Sequence, residues 1–201
     1  MRSKGLSGYL ALAAACMVFL ASMGVLTVRA VQTRGQSGLD VGEMAPLFKL
    51  NDGRGHVVES AGLRGKVVVL FFAGSKCPVS ADYLGRVRQM ASVHGPDGVQ
   101  VIRVEVGETI APAELSDEAG VPTFLDSDGN IAARFGVTMT PSFCVIDKGG
   151  HLRYSGSFDD NRNSGQVKQR YLEDAVRRVS RGSPVLISST QAFGCAVKRP
   201  N

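Results

Sequence analysis

The chain has 201 residues, 44% of them hydrophobic, enough for a leader segment and one domain with a sizeable core. Its formal charge is +5, but the first 30 residues hold three basic and no acidic side chains, and the remainder carries 20 basic against 18 acidic groups. That near balance, with no tryptophan and only 6% aromatic residues, gives no support to a nucleic-acid-binding surface.

Arg2 and Lys4 precede an apolar stretch from Tyr9 to Val28, which ends in Val28-Arg29-Ala30. Residues 1–30 therefore read as a secretory leader with a cut after Ala30, or as an uncleaved membrane anchor. Either way an exported, extracytoplasmic location is expected, where disulfides can form. Any membrane association would run through this segment alone. Cys16 lies inside the stretch, with Ala13 where a lipid-attachment signal prefers a larger aliphatic residue, so lipidation is not expected. Three cysteines remain after the leader, Cys77, Cys144 and Cys195, so at least one is unpaired within a monomer. His56, His94 and His151 are isolated from one another and no cysteine pair has zinc-like spacing. No metal and no cofactor are expected.

Residues 31–40 are polar and glycine-rich and read as a flexible lead-in to a domain over 41–182. Pro46, Phe48 and Leu50 suggest an extended approach, Asn51-Asp52-Gly53 a turn, and Val57-Val58 a short returning strand. Residues 67–72 are wholly apolar, as in a strand covered on both faces. After Cys77-Pro78 the apolar positions Val79, Tyr83, Val87 and Met90 recur at helical spacing. A buried strand thus runs into a helix, with Cys77 at the junction. Pro78 suits the first helical position, and Cys77 then falls at the N-cap. Unpaired amides, the helix dipole and the neighbouring Lys76 all favour a thiolate there.

Val99 to Val106 alternates and is β-branched, as a second parallel strand would be, with Glu105 as an unusual acidic member. A short helix is expected over 112–119. Residues 121–125 are extended, and Asp126 to Asn130 form a turn that lacks the ligand spacing of a calcium loop and reads as solvated. A short helix over 131–135 is closed by Gly136. Thr140-Pro141 leads into a strand that buries Cys144 as a core thiol, and Lys148-Gly149-Gly150 turns it back from His151. A final amphipathic helix is expected over 166–181, with Val167, Tyr171, Leu172, Ala175, Val176 and Val179 as its apolar stripe. In the tail, 183–201, Val185, Leu186, Ile187 and Phe193 suggest packing on the domain. Gly194 lets the adjacent Cys195 approach another sulfur closely, which makes Cys195 the best candidate partner for Cys77. The order β-β-α-β-α-β-β-α fits an α/β domain with a central mixed β-sheet flanked by helices.

The strand-loop-Cys77-Pro78-helix element, Thr140-Pro141 before a strand and the hairpin from Asp147 resemble the thioredoxin-like superfamily. Within it, residues 41–181 are similar to the redoxin or AhpC/TSA branch, which includes peroxiredoxins and periplasmic thiol–disulfide proteins. The resemblance implies a thioredoxin-like fold, a catalytic Cys77, and a cis Pro141 that shapes, with Thr140, Lys76, Pro78 and Ser80, the surface where a partner thiol or disulfide docks. Phe193-Gly194-Cys195 corresponds to the GC-containing tail of exported members.

There are departures. Ser80 stands where thioredoxins carry their second active cysteine. Leu70 and Gly74 stand where peroxiredoxins have a proline and a hydroxyl residue, and Ala73 where copper-delivery relatives have a first cysteine. Three functions follow as expectations. The first is a thiol–disulfide oxidoreductase acting on protein disulfides, with Cys77 as nucleophile, Cys195 resolving and a thiol protein as reductant. The second is a peroxidase acting on small peroxides, for which Arg134, Arg153 and Arg162 are the candidate orienting groups. The third is a binding module with a structural disulfide.

Overall fold

The computed structural model describes residues 38–107 and 121–198. The leader and the helix expected over 112–119 lie outside the described residues. Strand β3 (Val67–Ala73) is buried at all seven positions and forms the spine of the sheet. It pairs in parallel with β4 (Val99–Val106) and antiparallel with β7 (Ser142–Ile146). Outward from β4 come β5 (Thr123–Asp126), β1 (Lys49–Asn51) and β2 (Val57–Glu59); β8 (Leu152–Gly156) lies outside β7. The order is β2-β1-β5-β4-β3-β7-β8, a mixed sheet of seven strands in a thioredoxin-like α/β arrangement.

Because successive strand residues point to opposite faces, β3 feeds two cores. Val67, Val69, Phe71 and Ala73 meet helix α1 (Pro78–His94) through Tyr83, Val87 and Met90, and helix α3 (Tyr171–Ser180) through Leu172, Ala175, Val176 and Val179. Val68, Leu70 and Phe72 face the other way, against Phe48, Leu63 and the short helix α2 (Asn130–Arg134) with Phe135 behind it. Phe71 and Phe143 stack at 4.9 Å on the first face. No helix among the described residues is long and apolar enough to cross a membrane.

Three expectations are corrected. Helix α3 starts at Tyr171 rather than 166, because residues 167–170 are held along the preceding loop: the Asp160 carboxylate accepts the Lys168 amide at 2.9 Å, and the Asp160 amide donates to Gln169 O at 3.2 Å. The turn at 126–130 is not wholly solvated. Asp126 is buried and caps α2, accepting from the amides of Ile131 at 3.0 Å and Ala132 at 2.8 Å, and burial pushes its carboxyl upward. Glu105, the acidic member of β4, is buried at the end of that strand, 2.7 Å from the Arg103 guanidinium. Of the apolar tail residues, Val185 and Phe193 pack on the core, whereas Leu186 and Ile187 are 71% and 47% exposed.

The described end of the lead-in is packed: a side chain at Gly38 would run into the Gly136 backbone, and Leu39 N–H donates to Arg134 O at 3.3 Å. Cys144 is buried, and its thiol is pushed up to about 12 by desolvation.

Candidate active site

Strand β3 ends at Ala73, and the chain turns tightly so that the Cys77 amide donates to Gly74 O at 3.0 Å. Cys77 is the N-cap of α1 with extended backbone, Pro78 is the first helical residue, and Ala81 N–H makes the first helical bond to Cys77 O at 3.2 Å. Pro78 has no amide proton, so Val79 and Ser80 supply the first-turn donors without an intrahelical acceptor. Their positive end of the helix dipole sits beside the sulfur. Ser80 is buried, and its hydroxyl oxygen accepts the Gly74 amide at 3.3 Å, closing the loop around the cysteine. Lys76 is exposed at the rim.

Facing this turn is the peptide bond Thr140–Pro141, which is cis. Thr140 O lies 3.2 Å from Cys77 Sγ, close enough to accept the thiol proton when the cysteine is reduced.

The C-terminal tail completes the site. It leaves α3, crosses β8 and is anchored by Thr190, whose hydroxyl meets Tyr154 Oη at 2.7 Å and accepts the Ser157 amide at 2.9 Å. The backbone of Ser188 to Thr190 pairs with Ser155. Phe193 then packs edge-on against Tyr83 of α1 at 6.1 Å. Beyond it, β9 (Cys195–Ala196) pairs antiparallel with β6 (Met139–Thr140), placing Cys195 opposite Thr140. Cys195 forms a disulfide with Cys77 across 118 residues of chain, with 5.9 Å between the Cα atoms, within the ordinary span for a disulfide. A groove of about 390 Å³ opens beside the bond, lined among others by Lys76, Val106, Gly107, Thr140 and Lys198.

The sequence-predicted residues Lys76, Cys77, Pro78, Ser80, Thr140, Pro141 and Cys195 thus converge on one place. The arginines do not. Arg134 donates to Leu47 O at 2.8 Å, Arg153 pairs with Asp147 at 2.6 Å and Arg162 pairs with Asp82; none of them lines the groove.

Sequence reasoning missed the scaffold behind α1. Asp159, 2% exposed, accepts from Tyr83 Oη at 2.7 Å and from Arg86 at 2.6 Å, while the Arg86 guanidinium lies 4.5 Å from the Tyr83 ring centroid. Arg86 also donates to Asn161 O at 3.0 Å and to Arg162 O. Burial, then the Asp159 carboxylate, raises the Tyr83 phenol above its ordinary range. This network ties the loop after β8 to the helix that carries Cys77. Its only trace in the sequence is the acidic pair Asp159-Asp160 in an otherwise polar loop.

The AhpC/TSA family model matches residues 41–155, from the approach to β1 through most of β8. The chain belongs to the AhpC/TSA family. Thiol-disulfide oxidoreductase ResA of Bacillus subtilis (strain 168) is 30% identical over 140 residues, covering 68% of this chain and 77% of that protein. ResA of Geobacillus kaustophilus (strain HTA426) is 27% identical over 140 residues, with 68% and 80% covered. A hypothetical protein of Sinorhizobium meliloti 1021 shares the fold with a TM-score of 0.73, at 23% identity, over 82% of this chain and 97% of that one. Within this family the present chain is a thioredoxin-fold redox protein whose site disulfide joins the helix N-cap to the tail, not two positions of one helix turn.

Proposed function

We propose that this protein is an exported thiol–disulfide oxidoreductase in which Cys77 attacks and Cys195 resolves. The observation that carries the reading is the Cys77–Cys195 bond itself, formed between a sulfur at a helix N-terminus and a tail cysteine delivered to it by backbone pairing. In the reduced protein the Cys77 thiolate attacks a partner disulfide, forming a mixed disulfide and releasing the partner's other sulfur as a thiolate. Cys195 loses its proton to solvent and attacks the Cys77 sulfur. The internal disulfide forms and the partner leaves with both thiols, so two electrons pass from the protein to the substrate. A thiol protein reverses the sequence to regenerate the reduced enzyme. The helix N-terminus and Lys76 stabilise the attacking thiolate, while Thr140 O and Ser80 hold the loop and sulfur in place.

Two further points support the reading. The ResA proteins are named for this chemistry, and the basic-then-apolar N-terminal segment suits export to an oxidising compartment. Peroxide chemistry lacks comparable support, because Leu70 is core, Gly74 has no side chain and, among the described residues, no arginine lines the groove.

The test is trapping. Reduced Cys195→Ser protein mixed with a disulfide-bonded protein substrate should accumulate a Cys77 mixed disulfide, seen by peptide mass spectrometry, whereas the wild type should pass to the Cys77–Cys195 form and release reduced substrate. A Cys77 that stays free in both proteins would overturn the proposal.

A further inference from the structure

We propose that Phe193 is the positioning residue of the resolving step: seated on Tyr83 whether the disulfide is formed or open, it leaves only residues 194–198 to swing on Gly194 and keeps Cys195 within reach of Cys77. The proposal rests on the exchange reading of that cysteine pair and names what makes its second step fast.

The tail is held in two parts of unequal strength. Upstream of Gly194, the Thr190 hydroxyl meets Tyr154 Oη at 2.7 Å and accepts the Ser157 amide at 2.9 Å, while the Thr190 amide donates to Ser155 O at 3.1 Å. Phe193 packs on the core that β3, α1 and α3 share, its ring edge-on to Tyr83 at 6.1 Å. Tyr83 is itself fixed, 1% exposed, with its hydroxyl on Asp159 at 2.7 Å and the Arg86 guanidinium against its ring. It lies on the helix that opens at Cys77, so the seat of Phe193 and the nucleophile belong to one rigid element. None of these contacts involves a sulfur, and breaking the disulfide removes none of them.

Downstream of Gly194 the hold is slight. It consists of the two-residue pairing of β9 with β6, the Val197 amide on Thr138 O at 2.9 Å and a long bond from Thr140 Oγ1 to Cys195 O at 3.4 Å. A ladder of two residues is marginal once the covalent link is gone. Between the two parts stands Gly194, with φ at +148°, a conformation that glycine enters and leaves without strain. Opening there uncovers Cys77, which is 3% exposed with the bond formed. Two residues of chain carry Cys195 no more than about 7 Å from Phe193. The resolving thiol therefore waits beside its target instead of exploring the volume open to a free tail, and its attack is pre-oriented.

The probe is the symmetrical disulfide of thionitrobenzoate, mixed in stopped flow with reduced full-length protein. All samples carry Cys16→Ser, so that only Cys77, Cys195 and the buried Cys144 remain. The Cys77 thiolate attacks one sulfur, forms a mixed disulfide and releases a first coloured thionitrobenzoate, at a rate proportional to the reagent. Cys195 loses its proton to solvent, attacks the Cys77 sulfur and expels the second, at a rate independent of the reagent. Phe193→Ala should slow the second phase about tenfold, the worth of one aromatic contact with its buried area, and leave the first no slower. Phe193→Leu, which keeps apolar bulk, should fall between the two. General loss of structure would not single out the second phase. Amide exchange followed by NMR in reduced protein with Phe193 intact reads the hinge directly: the Thr190 amide should stay protected and the Val197 amide should lose its protection.

Second-phase rates that match in all three proteins would overturn the proposal and leave the exchange reading standing, since two thionitrobenzoates would still be released. Thr190 and Val197 amides that exchange equally fast, or a Val197 amide that stays protected, would also overturn it. If Cys77 releases no thionitrobenzoate, the exchange reading falls and the proposal with it.

Discussion

Reduction of the Cys77–Cys195 bond should lower the stability of this domain by a large and calculable amount. The bond closes a loop with a sequence separation of 118. In the chain-entropy model a loop of that length restricts the unfolded ensemble by about 5 kcal/mol at 25 °C. The native state gives little of this back on reduction, because the tail keeps its Thr190 and Phe193 anchors. At roughly 2–4 °C per kcal/mol for a domain of this size, the melting temperature should fall by about 10–20 °C. The assay is thermal unfolding followed by circular dichroism, with oxidised wild type, reduced wild type and Cys195→Ser run side by side. The variant should melt with the reduced protein whether or not reductant is present. Oxidised and reduced wild type melting within about 2 °C of each other would refute the reasoning, since no cross-link spanning that loop could then be present in the folded protein.

Three further outcomes are expected. Asp159→Ala should destabilise the domain by about 3 kcal/mol in urea titration, because it leaves the buried Tyr83 hydroxyl and the largely buried Arg86 without their shared carboxylate; a loss within about 0.5 kcal/mol would mean the network is not formed. Stability should fall as pH rises between about 9 and 12, because burial pushes Cys144 from 9.0 and Tyr154 from 10.0 up to about 12. The folded protein then holds protons that the unfolded chain has released, so rising pH favours unfolding; urea midpoints measured across that range check it. Asp126→Ala should cost about 1–2 kcal/mol by removing the acceptor for the Ile131 and Ala132 amides, and its signature is faster hydrogen exchange confined to α2 and its neighbours.

The core of the fold and the site was legible where one residue's role depends on its near neighbours. The apolar run of β3, the helical spacing after Pro78 and the position of Cys77 between them all follow from local periodicity. The same is true of the hairpin at Lys148-Gly149-Gly150 and of Cys144 inside a strand. What escaped reading depends on partners distant in sequence. The late start of α3 comes from Asp160 bonding across the loop to Lys168 and Gln169, a tertiary choice that overrides the apolar stripe. Leu186 and Ile187 resemble core residues by type, but the tail is anchored instead by the Thr190 hydroxyl, a polar group with no hydrophobic signal. Strands β6 and β9 have two residues each, too short for any alternation to register. Gly194 was read correctly as permitting close approach, but only the structure shows that it approaches Thr140 and Pro141.

The most direct test of the account is a time course of thiol trapping on fully reduced wild-type protein, using a peptide disulfide and hydrogen peroxide in separate reactions at equal concentration. Mass spectrometry of the quenched samples follows the Cys77–Cys195 peptide pair. The account predicts rapid formation of that pair with the disulfide donor, passing through a Cys77 mixed disulfide, and much slower formation with peroxide. Faster oxidation by peroxide, with a sulfenic acid trapped on Cys77 of the Cys195→Ser variant, would contradict it and assign the site to peroxide reduction.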